Sequence, residues 1–135
     1  SAPSEVRCRT YDDRENVLQY HQVSPLAYRP EDMLKLHTMI FESIRDPRKG
    51  PVYDHCWNGW HASGFVAATA LRQFCGFTAD EAIAYWNQNT DGNNGSNYNR
   101  LRERIRAFVP NDSLALSEEE RRGICPAPGT LVFPE

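Results

Sequence analysis

No run of apolar residues in this 135-residue chain approaches the ~20 that a membrane-spanning helix requires, so no membrane span is expected. Basic charge is not in excess. The 15 Lys and Arg stand against 18 Asp and Glu, for a net charge of −3, which argues against a nucleic-acid surface or an anionic-membrane patch. The four cysteines, Cys8, Cys56, Cys75 and Cys125, form no Cys-x-x-Cys pair, so the zinc-type spacing is missing. There is no glycine-rich nucleotide loop and no internal repeat. No metal and no cofactor are expected. Nothing at the start reads as a secretory leader. Ser1-Ala2-Pro3-Ser4 fits a mature terminus left by cleavage, or a cut between domains.

What is present is enough chain for one domain with a genuine core, residues 1–135, at an ordinary apolar fraction of 40%. Residues 6–10 and 16–23 read as short strands around the polar turn Tyr11-Asp12-Asp13-Arg14. Pro30-Glu31-Asp32 opens a helix, along which Met33, Leu36, His37, Ile40, Phe41 and Ile44 recur at helical spacing. His37 on that face reads as a core histidine. Pro51 to His55 reads as a strand and 61–75 as a helix, with Cys75 a buried apolar residue and Gly76 its C-cap. Thr78-Ala79-Asp80-Glu81 is a capping box, and Ser117-Glu118-Glu119-Glu120 is a second capped start. Tyr98, Leu101, Ile105 and Phe108 mark a further helix ended by Pro110, and Gly129 to Phe133 a final strand or ordered tail. Strands followed by helices predict an α/β fold with a small, partly parallel central sheet flanked by helices.

Cys8 and Cys125 lie near opposite ends of the chain, and domain termini often meet. They are a candidate disulfide, which gives a faint lean toward an extracytoplasmic, oxidising compartment. The segment Asn87–Asn97 is polar and asparagine-rich. A calcium-loop reading fails there, because Ser96 stands where glycine is needed and Arg102 where glutamate is needed. An exposed loop, or the rim of a carbohydrate or peptide site, remains. Arg100, Arg102, Arg104 and Arg106 read as the solvated face of a helix, from which one arginine could reach a site.

The most informative stretch is His55-Cys56-Trp57-Asn58-Gly59-Trp60-His61-Ala62-Ser63-Gly64. A strand, a tight loop with cysteine at its mouth, then a helix would bring the Cys56 sulfur beside unpaired backbone N–H groups at the positive end of a helix dipole. Such a place binds anions and lowers a thiol pKa. Trp57 and Trp60 either wall a pocket or cover the loop.

This stretch resembles the signature loop of the cysteine-dependent tyrosine and dual-specificity phosphatases: His-Cys, five residues, Arg, then Ser or Thr, often with a following Gly. His55, Cys56, Gly59, Ser63 and Gly64 match, and the likeness covers roughly residues 16–109. It implies a phosphatase-like fold in which Cys56 attacks phosphorus. The amides of residues 57–62, hence Trp57, Asn58, Gly59, Trp60, His61 and Ala62, would cradle phosphate, and the Ser63 hydroxyl would help the thiolate leave.

The sequence departs from that pattern in three places. Ala62 replaces the arginine whose planar fork grips two phosphate oxygens. At about 1.5–3 kcal/mol for each charged hydrogen bond, losing two implies a rate loss on the order of a hundredfold to many thousandfold. His61 is a candidate donor in its place. The stretch His21–Tyr28, where the family carries an acid, has no carboxylate. His21 is a substitute candidate, and Asp32 reads as a first-turn helix acid. Asp54 stands where the family has an apolar residue, and in a strand it should point away from His55. Two functions compete. One is a phosphatase-like binding module with impaired or lost turnover, keeping a pocket for an anion, sugar or protein segment. The other is an atypical phosphatase with Cys56 as nucleophile. A thiol redox role for Cys56 is a third, weaker reading.

Overall fold

The computed structural model describes residues 4–26 and 29–130. A β-hairpin precedes five α-helices, giving a mixed α/β protein. Strands β1 (Ser4–Arg9) and β2 (Glu15–Tyr20) pair antiparallel, with Val6 opposite Leu18 and Cys8 opposite Asn16. Thr10 and Arg14 close the turn through Thr10 N–H donating to the Arg14 carbonyl at 2.9 Å. Every residue of both strands is exposed, so the hairpin adds nothing to the core.

The core is helical. It is built from α1 (Pro30–Arg45), α2 (Ala62–Cys75), α3 (Ala79–Gln88), α4 (Asn99–Ala107) and α5 (Glu118–Ile124). α2 is central because its small and apolar residues leave no polar face over most of its length. Phe65, Ala68 and Leu71 pack with Phe77, with Ala82 and Trp86 of α3, and with Leu101 and Ile105 of α4. Phe74 packs instead with Leu114 and Leu116, against Ile40, Phe41 and Ile44 of α1. His37 lies within this interior, edge-on to Phe74 and Phe108, with Nε2 3.3 Å from the Thr69 hydroxyl.

The helix ends follow their local chemistry. Both capping boxes form, with Thr78 and Ser117 accepting from the N–H groups of Glu81 and Glu120. Gly76 ends α2 in the left-handed conformation, φ 67°. Arg72 of α2 closes the end of α4. Its Nη1 donates to the carbonyls of Ile105 at 2.7 Å and Phe108 at 2.6 Å, groups that a helix C-terminus leaves without partners. Gln73 exchanges two bonds with the Asn111 backbone, at 2.9 and 2.6 Å.

Two expectations are corrected. No parallel pairing exists among the described residues, because Pro51–His55 is not a strand. Burial does alternate there, with Val52, Asp54 and Cys56 turned inward and Tyr53 and His55 outward, as in extended chain. Yet no described strand lies alongside to accept its hydrogen bonds, since β1 and β2 pair only with each other. The disulfide is Cys75–Cys125, with an S–S distance of 2.01 Å. Cys75 is therefore not a free apolar residue, and Cys8 is free and exposed on the hairpin. The ends of α2 and α5 meet with Cα atoms 5.5 Å apart, which suits the bond. Gly129 and Thr130 lie in a turn, and the remainder of the expected C-terminal strand falls outside the described residues. No helix is long and apolar enough to cross a membrane among the described residues.

Candidate functional site

The site is the bend between the extended segment and α2. Gly59 adopts φ 79°, a left-handed conformation that reverses the chain and is available to glycine at little cost. The reversal turns residues 59–63 back over Cys56. The amides of Gly59, Ala62 and Ser63 then face its sulfur, and Ser63 Oγ lies 3.2 Å from Sγ. Ala62 and Ser63 are the first two residues of α2, so two of these donors are N–H groups that the helix cannot satisfy internally.

This geometry sets the acidity of the thiol. Burial raises its pKa, but the Ser63 hydroxyl and the amides of Ser63, Gly59 and Ala62 outweigh that effect. Together they bring Cys56 from 9.0 to about 7. Near neutral pH a substantial share is then thiolate, the nucleophilic form. Ser63 is buried and Cys56 half-buried, so the sulfur is shielded without being sealed.

The other residues of the loop divide. His55 points outward, its ring 6.3 Å from Tyr20 and 6.0 Å from Tyr53. Trp57 is fully exposed at 100%, so it neither walls a pocket nor covers the loop. Asn58 is likewise exposed. Trp60 is half-buried and packs edge-on to Trp86 and Tyr98. His61 occupies the N-cap position of α2 but makes no side-chain cap. Its ring packs against Trp60 and Tyr98 instead, at 5.9 and 5.6 Å.

The arginines of α4 are not simply a solvated face. Arg102 donates to Asn87, Asn94, Gly95 and Asn99 and stacks over Trp86, which fastens the asparagine-rich loop to the aromatic cluster. Arg104 donates to the Leu26 carbonyl, and Arg106 pairs with Asp80 at 2.7 Å. Asp32 accepts from the Ser24 N–H at 2.9 Å and so anchors the segment before α1. His21 is half-buried, and its Nδ1 has no partner among the described residues. Among the described residues no group of three or more His, Cys, Asp or Glu could hold a metal.

An open cavity of about 350 Å³ adjoins the loop, bordered by Val52, Asp54, Gly59, Trp60 and Ser63 and flanked by residues of α1, α2 and α3. Sequence reasoning missed Ile40, Val52, Tyr85 and Asn89 of this cavity. Their only signal was their apolar or polar class, which is shared by many residues that line nothing. It missed Tyr98 as the packing partner of Trp60 and His61 as well. No family model, no curated protein and no solved structure matches the chain.

Proposed function

We propose that residues 55–64 form the oxyanion cradle of a domain resembling the cysteine-dependent tyrosine and dual-specificity phosphatases, with turnover impaired or lost and with binding retained. The observation that carries this reading is the Ser63 hydroxyl 3.2 Å from Cys56 Sγ, with the nearby amides of Ser63, Gly59 and Ala62 helping to hold the thiol pKa down. The same N–H groups that favour a thiolate favour a phosphate-like anion or the anionic part of a phosphorylated ligand. Ala62 contributes an amide and no guanidinium, and Arg102, Arg104 and Arg106 are engaged elsewhere. Anion binding therefore rests on neutral donors, which suits weak binding better than transition-state stabilisation. A sugar or protein segment fits the same mouth beside Trp60. The Cys75–Cys125 bond fits an oxidising compartment.

A second reading, an active phosphatase with Cys56 as nucleophile, is favoured by the lowered thiol pKa and by Ser63 in hydrogen-bond reach of the sulfur. One experiment separates the two. Turnover of an aryl phosphate is compared between the natural chain and Cys56→Ser, with phosphate binding measured alongside. The binding-module reading predicts equal, blank rates with saturable phosphate binding. Turnover that disappears in Cys56→Ser favours the enzyme, and absence of both turnover and binding removes the cradle from either account. Ala62→Arg should raise phosphate affinity, and activity created by it would identify the guanidinium as the missing part.

A further inference from the structure

Asp54 is half-buried next to the cavity and makes no hydrogen bond or ion pair with the described residues. The two-residue period of the extended segment puts it on the inward side with Cys56, away from His55. Desolvation raises its pKa, with the neighbouring His55 opposing. A half-buried carboxyl of this kind is open to a cation or donor that enters the cavity. The cavity wall around it is apolar and aromatic, with Ile40, Val52, Trp60, Ala67 and Tyr85 contributing. Its volume of about 350 Å³ falls within the range of ligand pockets.

We propose that this cavity binds a small organic ammonium ion, its apolar body against α1 and α2 and its charged head at Asp54. Charge complementarity selects this occupant. Asp54 is the one acidic side chain among the described lining residues, and the rings of Trp60 and Tyr85 offer electron-rich surface to a cation. An anion of the same shape would meet the carboxyl and be repelled. Gly59 and Ser63 border both this cavity and the Cys56 cradle.

The test is a titration of the intact chain with 2-phenylethylammonium chloride at neutral pH, followed by the Trp60 indole N–H resonance and by calorimetry. 3-Phenylpropionate and 2-phenylethanol serve as matched anionic and neutral probes. The expected result is saturable binding of the ammonium, at least tenfold weaker binding of both matched probes, and a tenfold or greater loss in Asp54→Asn. Ala67→Met, which fills the cavity and leaves Asp54 in place, should abolish binding with the far-ultraviolet spectrum unchanged. Phosphate binding by the natural chain and by Asp54→Asn is measured alongside, so a failed cradle and a failed amine site are read separately. Equal affinity for the ammonium and the propionate, unchanged binding in Asp54→Asn, or no saturable binding by the natural chain would each overturn the proposal.

Discussion

Gly64 lies against the indole of Trp86 so closely that a Cβ added to it would stand 3.1 Å from both Cδ1 and Nε1. Trp86 is 1% exposed and held by Trp60, Tyr98 and Arg102, so it has little room to yield. The contact fixes the first turn of α2 against α3 and thereby sets the height of the Ser63 amide and hydroxyl above Cys56. Gly64→Ala should destabilise the protein by about 1 kcal/mol in urea unfolding, because crowding in a packed interior outweighs the helix preference of alanine. It should also shift the Cys56 titration, since Ser63 moves with the turn. A more stable variant with an unchanged thiol would show that Trp86 yields freely.

The disulfide makes a larger prediction. Cys75 and Cys125 close a loop across 50 positions, for which the chain-entropy account gives about 4 kcal/mol. In a Cys8→Ser background, reduction should lower the unfolding free energy by that order, while Cys8→Ser alone should change it by less than about 0.5 kcal/mol, as expected for an exposed side chain. Peptide mapping under non-reducing conditions should recover Cys75 joined to Cys125.

How much the sequence revealed depended on how local each signal was. Thr78 with Glu81, and Ser117 with Glu120, announced two helix starts because a capping box is complete within four residues. The apolar spacing from Met33 to Ile44 gave α1, and the loop-then-helix order pointed to the cradle proposed at Cys56. The disulfide was misread because partner choice depends on where helix ends meet, and termini that are distant in sequence carry no such information. Pro51–His55 was misread as a strand because five residues of alternating burial describe extended chain equally well, and pairing needs a neighbour that the sequence does not point to. Arg72 capping α4 and Gln73 gripping Asn111 were illegible for the same reason: a polar residue in a helix does not announce a partner more than thirty positions away.

His37 predicts a pH dependence. Burial holds its pKa down from 6.5 to about 4, so the native state keeps the ring neutral where the unfolded chain would protonate it. Unfolding takes up a proton across that window, and stability falls as pH drops from about 6.5 to about 4. The difference amounts to about 3 kcal/mol. In His37→Leu this part of the acid slope should vanish, with Thr69 Oγ1 still donating to the Val66 carbonyl at 2.9 Å. Urea unfolding at a series of pH values measures both chains, and parallel slopes would contradict the assignment.

The Ser63 hydroxyl predicts a separable contribution to the thiol. Ser63→Ala removes the side-chain bond at 3.2 Å and keeps the backbone amides, so the Cys56 pKa should rise part of the way toward that of a free thiol. Global stability should change by no more than about 1 kcal/mol, in keeping with one hydrogen bond.

The most direct measurement is the rate of alkylation of Cys56 by iodoacetamide as a function of pH, in a Cys8→Ser background that leaves one free thiol. The cradle predicts a titration near pH 7, moving upward in Ser63→Ala. A midpoint at about 8.5 or above, the range of an unassisted thiol, with no response to Ser63→Ala, would contradict it.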